Sequence, residues 1–230
     1  MKTFSFIFAR GGSKGVPNKN LREVAGRSLL ARSVELALSH PSIDDCFVST
    51  DSEDIANLAK SLGANVIERP SELATDNSPE WLAWQHAVQY LLESGEMFDR
   101  FVSLPTTAPL RRKEDITNCL EKLTQETDIA ITVCESSRSP WFNQIKIGSD
   151  GLATLVNAGS GIFRRQDAPA VYDITPLAYV TTPSHILNHS GLWDGRVGVA
   201  IVPKERAIDI DSEFDLRVAE LLLKYYPFET

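Results

Sequence analysis

Short apolar runs alternate with helical patterns along most of this chain, and this alternation restricts the fold more than any other feature. Strands are predicted at residues 4–9, 46–50, 65–68, 101–104 and 129–134. Helices are predicted between them, at residues 29–38, 53–62, 79–92 and 113–123. Strands that alternate with helices in this way form a mostly parallel sheet covered by helices on both faces. The sequence therefore predicts a three-layer α/β/α fold.

The alternation is interrupted once, in the second half of the chain. Residues 136–176 are rich in Ser, Gly, Pro, Asn and Arg and contain only short strand candidates, which is typical of an insertion or protruding arm. The pattern returns with strands at 177–180 and 197–202 and a helix at 212–225. Because no repeat or low-complexity linker is present, we expect residues 1–230 to form one domain with an arm.

Composition excludes several classes of protein. The chain is 43% hydrophobic with a net charge of −8, has no Lys/Arg-rich tail and lacks the apolar run of roughly 18–20 residues that spans a bilayer. These features argue against a nucleic-acid or membrane partner, and the start is too short for a signal peptide. Cys46, Cys119 and Cys134 are far apart and form no CxxC pair, so we expect buried thiols in a cytoplasmic protein.

A glycine-rich loop directly follows the first predicted strand. Its three glycines let a phosphate approach the backbone closely, and their N–H groups can form an anion-binding nest. Arg10, Lys14 and Lys19 can neutralise phosphate charge, and Ser13 and Asn20 can add hydrogen bonds. Residues 1–35 hold seven basic residues against two acidic ones. The loop is neither a Walker loop nor a GxGxxG motif, so it predicts a phosphate site of another type.

Two further segments contain chemically suitable side chains. Asp209 and Asp211 alternate on an extended segment, so both carboxylates can point the same way and hold Mg²⁺ together with substrate phosphates. One of these aspartates capping the last helix is the simpler alternative. Thr106 and Thr107 follow a strand, where open α/β sheets bind ligands, and their hydroxyls can bind a sugar or a carboxylate.

Five motifs, in order along the chain, resemble those of the acylneuraminate cytidylyltransferases, the CMP-sialic acid synthetases. Residues 8–21, FARGGSKGVPNKNL, resemble the family signature, and residues 69–76, RPSELATD, resemble its RPxxLAxD element. Leu110 and Arg111 close a loop similar to QPTSPLR. Residues 164–167, RRQD, resemble its RRQ element, and residues 208–211, IDID, resemble its ending. The matched positions extend over nearly the whole chain.

The resemblance implies a Rossmann-like fold of the nucleotide-diphospho-sugar transferase type and a homodimer in which the arm reaches the neighbour's sugar site. The implied reaction joins CTP to a 2-keto-3-deoxy acidic sugar, with Mg²⁺, and releases pyrophosphate. The residues that match nucleotide contacts are Arg10, Gly11, Gly12, Ser13, Lys14, Asn20, Arg69 and Ser78. The expected catalytic residues are Lys19, Arg10 and Arg165, and the expected metal ligands are Asp209 and Asp211. The expected sugar-site residues are Thr106, Thr107, Arg164, Arg165, Gln166 and Tyr172.

The chain departs from the family pattern on the sugar side and at one nucleotide position. Pro105 stands where a glutamine is common, and Asp173 and Thr175 replace the arginine and asparagine of RPNGAIY. Glu80 aligns with a serine that contacts the base in some members. A negative charge at position 173 disfavours N-acetylneuraminate itself and favours a related sugar such as legionaminate, pseudaminate, a deaminated nonulosonate or an octulosonate. The alternative is a catalytically silent member that binds a nucleotide or a partner.

Overall fold

The structure is a computed structural model that describes residues 1–12, 15–157, 161–162 and 164–225, without the side chain of Arg165. The strands are β1 (Thr3–Phe8), β2 (Glu23–Val24), β3 (Arg27–Ser28), β4 (Asp45–Thr50), β5 (Asn65–Glu68), β6 (Arg100–Ser103), β7 (Ile129–Glu135), β8 (Ile145–Ile147), β9 (Ala153–Leu155), β10 (Tyr172–Thr181) and β11 (Val197–Ile201). The α-helices are α1 (Leu29–Leu38), α2 (Glu53–Ser61), α3 (Glu80–Glu93), α4 (Lys113–Leu120), α5 (Pro183–Asn188) and α6 (Glu213–Tyr225).

Seven strands form the central sheet in the order β11-β7-β10-β6-β1-β4-β5. All neighbouring pairs are parallel except those of β10, which runs antiparallel to both β6 and β7. The prediction of a mostly parallel sheet is therefore confirmed. The carboxyl ends of the six codirectional strands share one edge of the sheet, which is where open α/β sheets bind ligands.

Helices cover both faces of the sheet, as the α/β alternation predicts. Side chains of α1, α2 and α4, including Leu30, Ile55 and Ile116, pack on one face. On the other face α3 and α5 pack against an aromatic cluster that includes Phe6 and Trp84. A smaller apolar cluster joins α6 to the segment after the glycine loop. Cys46, Cys119 and Cys134 are buried free thiols, as expected.

The arm ends differently from the prediction, whereas β7 ends at Glu135, directly before the predicted start of the arm. The last sheet strand of this region begins at Tyr172, not at residue 177, and β10 is irregular between Thr175 and Tyr179. Pro176 lies in that irregular stretch, because a proline has no N–H to donate to a regular ladder. Outside the sheet, the small hairpin of β8 and β9 projects with all six residues exposed. The short helix α5 and the β2–β3 hairpin were not predicted.

Within the described residues, none of the helices combines the length and apolar character that crossing a bilayer requires.

Candidate active site

A cavity of about 470 Å³ lies at the carboxyl edge of the sheet. Ten residues predicted for the site line it, namely Arg10, Gly12, Lys19, Asn20, Arg69, Ser78, Thr106, Thr107, Asp209 and Asp211. They come from segments that are distant in sequence, and the parallel strands bring these segments together. The cavity is within the size range of small-molecule sites.

Asn20 connects the glycine loop to the threonine loop. Its Nδ2 donates a hydrogen bond to the Arg10 carbonyl at 2.9 Å, and its Oδ1 accepts one from Thr106 Oγ1 at 2.6 Å. Asn20 is buried and sits in a single 3-10 turn that follows Asn18, whose φ of 53° is left-handed. Asn20 therefore fixes two walls of the cavity to each other. This is a structural use of a side chain that the sequence assigned to nucleotide contact.

The start of the glycine loop is held by neighbouring acidic residues. The Gly11 N–H donates to Asp51 Oδ1 at 2.9 Å, and Arg10 forms an ion pair of 2.6 Å with Asp76. Arg10 lines the cavity, whereas Gly11 does not. Ser13 and Lys14 lie outside the described residues.

Arg69 is buried beside the end of β4. Its Nη2 donates to the Ser49 carbonyl at 2.6 Å and its Nε donates to Ser49 Oγ at 3.1 Å. Its guanidinium carbon lies 5.5 Å from the centre of the Phe8 ring. Desolvation lowers the pKa of Arg69, and the nearby Asp51 and Glu80 carboxylates oppose that shift. The geometry holds this cation rigidly at the cavity wall.

Asp209 and Asp211 lie at the cavity with Lys19 between their segment and the glycine loop. Lys19 Nζ donates to the Ile210 carbonyl at 2.7 Å and lies 3.2 Å from Asp211 Oδ1. Desolvation raises the pKa of Asp209; a hydrogen bond from Thr107 and the charge of Lys19 oppose this, while Asp211 adds repulsion. Asp215 instead caps α6, accepting from the Ser212 N–H at 2.8 Å.

This donor set fits Mg²⁺. Magnesium takes hard oxygen ligands and is commonly held by one or two carboxylates, with substrate phosphates and water completing its shell. The Asp211 side chain is 75% exposed and can therefore reach an ion in the cavity. Within the described ranges, no group of three or more His, Cys, Asp or Glu side chains has a metal-binding arrangement. Asp209 and Asp211 thus suit a shared substrate–metal site rather than a closed protein cage.

Three of the expected sugar-site residues of the arm, Arg164, Gln166 and Tyr172, do not line this cavity, and the side chain of Arg165 lies outside the described part of the structure. Arg164 pairs with Asp167 at 2.8 Å and is exposed. Gln166 lines a second cavity of about 350 Å³ that also contains Arg138. Tyr172 is exposed at the start of β10. The arm of this chain therefore does not place these side chains in its own main cavity.

Several cavity residues were not predicted from sequence. They include Phe8, Thr75, Asp76, Pro176 and Tyr179. Glu80, which the sequence aligns with a base-contacting serine of the family, also lines the cavity. Burial raises the pKa of Tyr179 to about 12, with further contributions from Glu80 and Asp209. Asp76 could have been predicted as a site residue, because it belongs to the RPSELATD element. Nothing local distinguishes Tyr179 from an ordinary strand residue.

Arg111 connects the segments around Pro105 and Pro176, which both line the cavity, without lining the cavity itself. It is buried, and its Nη2 donates to the carbonyls of Pro105 and Pro176. Desolvation lowers the pKa of Arg111 to about 9, with Asp115 opposing the shift. The Leu110-Arg111 motif therefore supports the loop rather than facing the cavity.

A three-layer α/β/α fold with a glycine-rich loop after β1, and a cavity that brings Arg10, Lys19 and Arg69 together with a carboxylate pair, defines a nucleotide-binding enzyme of the nucleotidyltransferase class. The family model described as cytidylyltransferase matches residues 5–186. The chain belongs to this family, which confirms the resemblance to the acylneuraminate cytidylyltransferases, and it is a nucleotidyltransferase.

The most similar relatives include two Campylobacter proteins. Post-translational flagellin modification protein B of Campylobacter coli is 35% identical over 225 residues, covering 95% of this chain and 93% of the relative. The CMP-N,N'-diacetyllegionaminic acid synthase of Campylobacter jejuni is 32% identical, covering 94% and 93%. Among solved structures, CMP:2-keto-3-deoxy-manno-octonic acid synthetase complexed with CTP is similar, with a TM-score of 0.70 and 15% identity over 97% of this chain and 99% of that one. This similarity supports the Rossmann-like fold.

Proposed function

We propose that the enzyme transfers a cytidylyl group from CTP to a sialic-acid-like nonulosonate. The anomeric hydroxyl oxygen of the sugar attacks the α-phosphorus, its proton is lost, and pyrophosphate leaves. The observation that carries the proposal is the single cavity that combines the glycine loop, Lys19 and the Asp209–Asp211 pair. Two relatives whose names refer to legionaminic and pseudaminic acids match more than nine-tenths of the chain.

Positioning and charge neutralisation supply most of the catalysis in such a transfer. Arg10 and Lys19 offset negative charge on the triphosphate, and Arg69 and Ser78 hold the nucleoside. Thr106 and Thr107 contact the sugar. Asp209 and Asp211 would hold Mg²⁺, which neutralises charge on the phosphates and the departing pyrophosphate.

The test is pyrophosphate release from CTP and Mg²⁺ across a panel of acidic ulosonates. We expect release with CTP and one sugar, including a legionaminate or a pseudaminate in the panel, and none with ATP, GTP or UTP. Bound CTP without turnover on any sugar supports the silent-member alternative. If CTP does not bind at all, the nucleotide assignment of the glycine loop is wrong.

The arm of residues 136–176 is proposed as a dimerisation element that completes the partner's sugar site. Ile145 and Ile147 are exposed on β8. On the sheet, Ile174 and Ile201 both neighbour Val133 in register and are also exposed. Ile174, Val133 and Ile201 form one row across the sheet, and exposed apolar rows of this kind are typical of protein interfaces. Arg164, Arg165 and Gln166 would then contact sugar bound to the neighbouring protomer.

We expect the protein to sediment as a dimer, at about twice the 25.4 kDa chain mass. Changing Ile145 and Ile147 together to Glu should shift it to the monomer, because charged groups on an apolar contact are not desolvated without cost. Met97→Glu, on an exposed side chain outside the arm, is the control and should stay dimeric. A monomeric parent protein, or a dimer that survives the double change, would contradict the role of the hairpin.

A further inference from the structure

Glu80 is an unexpected residue in a cavity that must accept a polyanion. It lines the cavity as the first residue of α3 and is accessible there. Its Oε1 accepts a hydrogen bond of 3.2 Å from Trp84 Nε1, one turn further along the helix. Trp84 is itself buried and packs 5.1 Å from Phe101, ring centre to ring centre. The carboxylate is therefore held in position by the core.

The second carboxylate oxygen of Glu80 is available to a ligand. No residue in the described part of the chain donates a hydrogen bond to Oε2. Surrounding protein desolvates the carboxylate and raises its pKa, while the Trp84 hydrogen bond and the Arg69 charge oppose that shift. In its ionised form, which Trp84 and Arg69 favour, the carboxylate presents only hydrogen-bond acceptors.

The charges around Glu80 differ from those of the phosphate loop. Glu80 interacts with the Arg69 guanidinium and raises the pKa of Tyr179, whereas Lys19 interacts with Asp209, Asp211 and Asp215. A carboxylate beside the triphosphate would repel it, so the part of the cavity around Glu80 and Arg69 suits the uncharged end of a nucleotide.

Three polar groups and two apolar walls meet in this part of the cavity. Arg69 is held in place by hydrogen bonds from Nε and Nη2 to Ser49, so its Nη1 is the nitrogen that can donate to a ligand. Ser78 Oγ is buried without a partner among the described residues. The ring of Phe8 and the methyl group of Ala83 supply apolar surface. Apolar walls with a few fixed polar groups are suited to a flat heterocycle whose edge carries donors and acceptors.

We propose that Glu80 selects the base of the nucleotide by accepting a hydrogen bond from the 4-amino group of cytosine on Oε2. Carboxylates recognise this amino group in the same way in protein–DNA contacts. Uracil has a carbonyl oxygen at that position, which would face the carboxylate with no proton between them. Both pyrimidines carry the O2 acceptor, so Arg69 and Ser78 can hold either base, and Glu80 alone distinguishes them. This inference rests on the proposed use of a cytidine nucleotide.

The decisive variant is Glu80→Gln, which keeps the size of the side chain and an acceptor for Trp84. While its oxygen accepts from Trp84, its NH₂ group takes the place of Oε2, where it no longer accepts from cytosine and can donate to the uracil carbonyl. We expect the ratio of Kd(UTP) to Kd(CTP), measured by calorimetry without any sugar, to fall about tenfold. Glu93→Gln at the opposite end of α3 is the matched control, since Glu93 accepts a hydrogen bond from Gln89 and does not line the cavity, and its ratio should match the parent ratio.

Other outcomes overturn the inference. An unchanged Kd ratio in Glu80→Gln, in a variant whose melting temperature matches that of the parent, shows that Glu80 does not read the base. A change confined to the KM of the sugar assigns Glu80 to the acceptor site instead. Failure of every ulosonate to react affects the proposed function but leaves the nucleotide ratio measurable, so the two failures are distinguishable.

Discussion

Asp211→Asn should lower kcat about 10³-fold, which corresponds to about 4 kcal/mol of lost transition-state stabilisation. Asparagine has the same shape, so packing is preserved while one of the two carboxylate charges proposed to hold Mg²⁺ is lost. The side chain is largely exposed, and its only described polar partner is Lys19 at 3.2 Å. The substitution should therefore change the free energy of unfolding very little. The effect should therefore be on turnover rather than on folding.

The measurement is initial rate against Mg²⁺ concentration, with CTP and the accepted ulosonate saturating. Lys19 stays anchored in the variant, because its Nζ also donates a 2.7 Å hydrogen bond to the backbone carbonyl of Ile210, which the substitution does not change. Loss of rate thus reports the carboxylate and not a displaced lysine. Glu220→Gln, on the exposed face of α6, is the charge-matched control and should retain the parent rate. Full Mg²⁺-dependent activity in Asp211→Asn would exclude Asp211 as a metal ligand.

Much of the fold was predictable because the information is local. The strand at β1 and the helix α2 follow from apolar runs and from caps, and Ser52 indeed accepts from the Ile55 N–H at the start of α2. The reversed direction of β10 was not predictable, since direction depends on how far the arm travels before it rejoins the sheet. The sequence near β10 carries no information about that path. The prediction also started the strand after Pro176, because proline is rare inside strands, and so it missed residues 172–176.

The site was predictable in its residue types but not in its contacts. Asp209 and Asp211 were found because they alternate, and Lys19 because it follows a glycine loop, yet nothing local indicates that Lys19 pairs with Asp211 across most of the chain. The contacts of Glu80 also could not be predicted from its neighbours in sequence. Its position at the start of α3 follows from Pro79, but its place in the cavity depends on how α3 packs on the sheet. Tertiary packing, rather than local preference, decides which polar side chains share a cavity.

Gly15→Ala is expected to lower kcat about 100-fold, because the glycine loop and the Asp209–Asp211 segment touch through backbone at this point. A Cβ on Gly15 would clash with the Asp211 carbonyl oxygen. Neither segment can easily move away: Val16 and Ile210 are buried in one apolar cluster, and the Ile210 N–H donates to the Thr107 carbonyl at 2.9 Å. Relief of the clash must therefore displace the phosphate loop from the carboxylates, and a shift of about 1 Å near reacting groups can cost about 100-fold in rate.

The same clash should reduce the free energy of unfolding by about 1–3 kcal/mol, the usual cost of overpacking, so urea unfolding is measured beside kcat. Gly191→Ala is the matched control, because a Cβ there meets no atom within 4 Å and its φ is not left-handed. That variant should keep both the parent rate and the parent stability. If Gly15→Ala matched it in both, the two segments would be able to separate without cost, and close contact between the phosphate loop and the carboxylate pair would not be needed for transfer. A loss of rate larger than the loss of stability explains would instead show that their spacing sets the position of the triphosphate.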